Sequence, residues 1–147
     1  MNTPVRTLLR RKGPSVITTA PEATVLTAIQ TMVDHNVGSV VVVVDGAPIG
    51  IFTERDYLRR IVLRGRTSDT TRVREVMTPD LVTAAPDTTV EECLSLMTRV
   101  RCRHLPVLAD GRLAGLVSIG DCVTHLLRAA ESQVVSLQNY VLGRYPA

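Results

Sequence analysis

The chain carries one pattern twice. Pro21 and Pro86 stand 65 positions apart, and the same offset pairs Pro14 with Pro79, Thr18 with Thr83 and Ala20 with Ala85. It also pairs Thr24-Val25 with Thr89-Val90, Met32 with Met97, Val42 with Val107, Asp45-Gly46 with Asp110-Gly111, Gly50 with Gly115, and Asp56 with Asp121. No gap is needed from residue 14 to residue 121. The matches fall on turns, helix starts and one apolar face, which is where a duplicated supersecondary unit keeps its likeness. Neither copy is large enough to cover its own sheet, so the two are expected to pack as one pseudo-symmetric pair.

Each copy reads as β-α-β-β-α. A short strand is expected at Ser15 to Thr19 and at Leu81 to Ala84. An Ala-Pro turn then leads to Thr24 or Thr89, both good N-caps, and Thr89 with Glu92 has the spacing of a capping box. Val25, Ala28, Ile29, Met32 and Val33 recur at helical spacing, as do Val90, Cys93, Leu94 and Met97. Two strands joined by Asp-Gly follow, a strong hairpin signal. They run Ser39 to Val44 and Ile49 to Phe52 in the first copy, and Leu105 to Leu108 and Leu113 to Val117 in the second. A second helix opens near Glu54 and near Gly120. The fold class is thus mixed α+β. Its expected parts are an opening segment with repeat one at residues 1–63, a polar linker at 64–72, repeat two at 73–130, and a helical tail at 131–147. The tail continues an aliphatic stripe through Val134, Leu137 and Val141. That stripe is expected either to fold back on Val5, Leu8 and Leu9 or to meet a second subunit.

Composition narrows the function. Hydrophobic residues make up 45% of the chain and aromatic residues 3%, so the core is aliphatic and base-stacking platforms for single-stranded nucleic acid are nearly absent. Lys12 is the sole lysine; the other cations are arginines, which suit phosphate ligands. Three cysteines without CxxC spacing argue against a disulfide framework or a zinc site and fit the reducing cytoplasm. The five valines from Val40 to Val44 have strand length, not membrane-spanning length.

Two segments carry the chemistry. Gly50-Ile51-Phe52-Thr53-Glu54-Arg55-Asp56 and Gly115-Leu116-Val117-Ser118-Ile119-Gly120-Asp121 each run from a strand into a helix. Each puts a hydroxyl at the helix start and a carboxylate three residues on. One reading is an N-terminal cap. The other is a ligand site, in which the hydroxyl approaches a phosphate and the carboxylate accepts from a ribose.

These two segments, the repeated β-α-β-β-α unit, Met77-Thr78-Pro79 and Arg103-His104-Leu105-Pro106-Val107 together resemble a tandem cystathionine-β-synthase (CBS) domain pair, or Bateman module. The likeness is to stand-alone bacterial pairs and related plant organellar ones, and the ending Leu137 to Tyr145 belongs to it. The resemblance implies a regulatory sensor with no catalysis of its own. It implies AMP, ADP, ATP, NAD(H) or S-adenosyl ligands in the inter-repeat cleft, and no required cofactor. Ribose contacts would fall on Asp56 and Asp121. Phosphate contacts would fall on Thr53, Arg55, Ser118, Arg103 and His104, with weaker base or ribose contacts at Thr18 and Thr83. Because Arg55 becomes Gly120 in repeat two, phosphate-rich ligands are expected to prefer the first cleft. A flat two-fold homodimer and a regulated partner protein are also implied, without a membrane. Competing readings are a nucleotide hydrolase with His104 as base and a DNA-associated regulator using Arg10, Arg11 and Lys12.

Overall fold

A computed structural model describes residues 2–13 and 16–143. Helix α1 (Val5–Lys12) precedes β1 (Thr18–Thr19), α2 (Val25–His35), β2 (Ser39–Val44), β3 (Ala47–Thr53) and α3 (Glu54–Tyr57), which continues into a π-helical turn at Leu58–Val62. The second half holds α4 (Val73–Val76), α5 (Val90–Val100), β4 (His104–Ala109), β5 (Arg112–Ser118) and α6 (Ile119–Val141). Repeat one forms a sheet in the order β1-β2-β3, with β1 parallel to β2 and β2 antiparallel to β3; repeat two forms the hairpin β4-β5. Both hairpins turn through Asp-Gly with positive φ at both residues (51° and 79°, then 53° and 77°), the backbone that a tight two-residue turn demands.

The valine run explains itself in the sheet. Val40 and Val42 face α2 in the first core, while Val41, on the opposite face, is equally buried. A strand covered on both sides reads as continuous rather than alternating. The opening strands come out shorter than the sequence suggests, and Pro14 and Ser15 lie outside the described residues. In repeat two only Ala84 bridges the hairpin, at Val107. The cause is Pro106. Its counterpart Val41 donates its N–H to the Ile17 carbonyl, and a proline has no N–H to give to Val82.

The repeats exchange their opening segments. Val5 and Leu8 of α1 are buried in the core of repeat two with Val90, Met97, Leu105 and Val117. Val73 and Val76 of α4 are buried in the core of repeat one with Val25, Met32, Val40 and Phe52. Backbone hydrogen bonds follow the same exchange. Val5 N–H donates to Thr88 and Arg6 N–H to Pro86, as Val73 N–H donates to Ala23 and Arg74 N–H to Pro21. Arg6 pairs with Asp87, and Arg74 with Glu22. These segments match at an offset of 68, not 65, because α1 runs a turn longer than α4 before the chain enters the next strand.

Gly50 and Gly115 admit these crossings. A Cβ on Gly50 would stand 2.6 Å from Met77 Sδ and 3.0 Å from the Thr78 carbonyl oxygen, whereas on Gly115 its nearest neighbours would be atoms of the Leu9 side chain, from 2.6 Å. A backbone carbonyl cannot step aside as a leucine rotamer can. Gly50→Ala should therefore cost about 1–3 kcal/mol and Gly115→Ala distinctly less. Urea unfolding of the two variants checks the order, and a costlier Gly115→Ala would contradict it.

Candidate functional site

The two strand-to-helix segments fold alike. Thr53 Oγ1 accepts from Asp56 N–H at 3.1 Å, and Thr53 N–H donates to Asp56 Oδ2 at 3.0 Å. Ser118 Oγ accepts from Asp121 N–H at 3.0 Å, and Ser118 N–H donates to Asp121 Oδ2 at 2.9 Å. Both are complete capping boxes. Each carboxylate thus spends one hydrogen bond on its own helix start. The repeats touch along β3 and β5, which end in these boxes.

Neighbours distinguish the two carboxylates. Thr78 Oγ1 donates to Asp56 Oδ1 at 3.1 Å, and Arg60 Nε stands 3.9 Å from the same oxygen. Arg60 Nη1 donates to the carbonyls of Val76 and Met77, at 3.0 and 2.7 Å, tying the crossing segment to this site. At the second carboxylate the corresponding crossing brings in Lys12. Its Nζ donates to Asp121 Oδ2 at 2.8 Å and to the Leu116 carbonyl at 3.0 Å. Burial alone would raise the Asp121 carboxyl, but the Lys12 ammonium and the Ser118 donors outweigh it and hold the group below the ordinary carboxylate value. No spacing in the sequence marks Thr78 or Arg60 for this site, and Lys12 stands out there only as the sole lysine and as part of the Arg10-Arg11-Lys12 run. Lys12 places a cation at the second junction, where Gly120 supplies none.

The remaining predicted residues fall as follows. His104 opens β4 directly opposite Ser118, and its counterpart Ser39 opens β2 directly opposite Thr53. Ser39 Oγ is buried with no hydrogen-bond partner among the described residues. Arg103 is exposed, and its carbonyl accepts from Ile119 N–H, as the Gly38 carbonyl accepts from Glu54 N–H. Arg55 is exposed on α3. Thr18 is exposed on β1, and Thr83 is half-buried beside the Ala84 bridge. The site therefore gathers Thr53, Asp56 and Thr78 at one junction, and Ser118, Asp121, His104 and Lys12 at the other.

Burial, and then the Lys12 ammonium, push the His104 imidazole below its ordinary value of 6.5; Arg103 adds to this, while Asp121 and Glu54 partly offset it. An unfolded chain then binds a proton that the folded chain refuses. The stability contributed by neutral His104 is complete above 6.5 and is lost as pH falls through the lowered folded value. Between about pH 7.5 and about pH 5.5 the unfolding midpoint should drop further in the natural chain than in His104→Gln. Equal slopes would mean that His104 is not held neutral.

A model of the CBS domain matches residues 2–63 and 73–128. The chain is 39% identical to CBS domain-containing protein CBSX3, mitochondrial, of Arabidopsis thaliana, across 98% of this chain and 74% of that one. In structure it is similar to a protein with CBS domains from Burkholderia ambifaria MC40-6 (40% identity, TM-score 0.82, covering 86% of this chain and 95% of that one). It is also similar to the CBS-domain containing protein ATU1752 from Agrobacterium tumefaciens (40% identity, TM-score 0.79, covering 84% and 98%). Among the described residues no helix is long and apolar enough to cross a membrane.

Proposed function

The chain belongs to the CBS-domain family of regulatory proteins, and from that membership we propose that it binds an adenine nucleotide between its repeats and relays the binding to a partner protein without catalysing a reaction. The observation that carries this reading is the pair of boxes at the ends of β3 and β5. Each holds a carboxylate and a hydroxyl at the junction of the repeats, and each carboxylate is steadied by backbone and crossing-segment donors. In this reading Asp56 and Asp121 receive ribose hydroxyls. Thr53, Arg55, Ser118, Arg103 and His104 approach phosphate, and Thr18 and Thr83 border the base. The ligand is AMP, ADP, ATP, NAD(H) or an S-adenosyl compound. Three free cysteines suit a reducing compartment such as the cytoplasm.

A thermal-shift panel of AMP, ADP, ATP, NAD, NADH and S-adenosylmethionine tests the binding, since a ligand of the folded state raises the melting point by mass action. At least one should shift it in a concentration-dependent way and be recovered chemically unchanged. No shift with any of them contradicts the reading, and steady product formation would make the chain an enzyme.

The proposal includes a homodimer. Leu58 and Val62 of the π-helical turn, and Val123 and Leu127 of α6, are exposed at matching positions of the two repeats. Residues 131–138 of α6 are exposed throughout, while Val5 and Leu8 are already covered by repeat two, so the tail does not fold back on them. Tyr57, the residue before Leu58, lines a groove of about 430 Å³ with Ile29, Met32 and Val33, which Asn36 and Glu54 also border. A second copy related by a two-fold axis covers such matched faces with like meeting like. Light scattering at micromolar concentration should give twice 16.0 kDa. A mass of one chain, unchanged by nucleotide, contradicts the dimer.

A further inference from the structure

We infer that a nucleotide enters the Asp121 cleft in preference to the Asp56 cleft, and that Lys12 selects its charge there; this rests on the nucleotide reading above.

The two carboxylates differ in what they still offer. Asp56 has both oxygens engaged, Oδ2 by Thr53 N–H and Oδ1 by the Thr78 hydroxyl with Arg60 close behind. Its side chain is 11% exposed. A ribose hydroxyl reaching Asp56 Oδ1 must share that oxygen with Thr78, in the more buried of the two sites. Asp121 takes both its donors, Ser118 N–H and Lys12 Nζ, on Oδ2. Its Oδ1 accepts no hydrogen bond among the described residues, and the side chain is 28% exposed. A hydroxyl can donate to that oxygen with every existing contact kept.

The cations differ as well. Arg60 gives Nη1 to the carbonyls of Val76 and Met77 and keeps its Nε 3.9 Å from Asp56 Oδ1, too far for a hydrogen bond. Lys12 uses two of its three N–H donors, on the Leu116 carbonyl and Asp121 Oδ2, and its side chain is 42% exposed. One Nζ donor therefore remains for a ligand, on an ammonium close enough to His104 to act on its charge. An ammonium so placed favours a ligand with phosphate over the same ligand without it. Its position is a product of the exchanged segments: α1 runs long enough to lay Lys12 over Leu116, where the shorter α4 lays Thr78 over Ile51.

Calorimetric titration of adenosine, AMP and ATP into the full chain at low salt tests this, with Lys12→Met, Lys12→Arg, Asp56→Asn and Asp121→Asn. Lys12→Met should weaken ATP binding by about tenfold to a hundredfold and adenosine binding by less than about threefold. Lys12→Arg should restore most of the loss, and Asp121→Asn should weaken all three ligands more than Asp56→Asn does. If Lys12→Met weakens adenosine and ATP equally, Lys12 is only a strut for Asp121 and the inference is overturned. If binding depends on Asp56 and ignores Lys12 and Asp121, the inference fails and the nucleotide reading stands. If the natural chain binds none of the three, the inference fails, and the nucleotide reading fails with it when the whole thermal-shift panel also gives no shift.

Discussion

Val5→Asp is expected to unfold the chain at ambient temperature, although Val5 lies outside the duplicated pattern and far in sequence from the core it serves. Its side chain is fully buried among Val90, Met97, Leu105 and Val117. Among the described residues no cation lies within that apolar cluster to pair with a carboxylate. An unpaired charge in such a place costs more than about 3 kcal/mol, a large part of the stability of a domain this size. Val73→Asp should do the same through the other core. Milder substitutions show where the damage goes. Val5→Ala and Val73→Ala should each cost about 1–3 kcal/mol. In hydrogen exchange Val5→Ala should loosen α5, β4 and β5, whereas Val73→Ala should loosen α2, β2 and β3. Loosening of the repeat that follows each segment in sequence would contradict the exchange.

That exchange marks the limit of what the sequence discloses about the fold. The hairpins are legible because Asp-Gly and the alternation around it are local signals, and the helices because Thr24 and Thr89 cap apolar stripes of helical period. Helix α6 extends as its uninterrupted stripe suggests, through Val141. The crossings are not legible. Val5 and Leu8 are merely two apolar residues in a basic stretch, and the change of offset from 65 to 68 hides their kinship with Val73 and Val76. The shortening of the strand before Ala84 depends on a missing N–H at Pro106, a partner more than twenty residues away.

Asp56→Ala should lower both nucleotide affinity and stability. Removing Asp56 leaves Thr53 N–H and the Thr78 hydroxyl, both half-buried, without acceptors, a loss of about 1–3 kcal/mol. Asp121→Ala frees Ser118 N–H and breaks a half-exposed pair with Lys12, so its cost should be nearer 1 kcal/mol after allowance for solvent screening. For binding the order reverses, because Asp121 keeps an open oxygen. The loss of a charge-assisted hydrogen bond weakens affinity about tenfold to a hundredfold. Urea unfolding and calorimetry on the same two variants check the opposed orders. Equal stability losses would mean that the Thr78 contact adds nothing.

Of the site, the parts legible in the sequence are those that sit three residues apart. Thr53 with Asp56 and Ser118 with Asp121 are visible as a spacing, and their mutual hydrogen bonds follow from helix geometry. The partners that make the two junctions unlike arrive from elsewhere. Thr78 comes from 22 residues beyond Asp56, and Lys12 from 109 residues before Asp121. A comparison of Arg55 with Gly120 at one offset cannot register them, so it leaves out Arg60 at the first junction and Lys12 at the second.

Whether the junction of the repeats is a nucleotide site is decided by equilibrium titration of ATP and AMP into the natural chain and into an Asp56→Asn/Asp121→Asn double variant. Saturable binding to the natural chain with a defined stoichiometry is expected. In the double variant a loss of at least about a hundredfold is expected, under conditions where that variant is shown to be folded. Undiminished binding by the folded double variant, or none by the natural chain at millimolar nucleotide, would contradict a nucleotide site there.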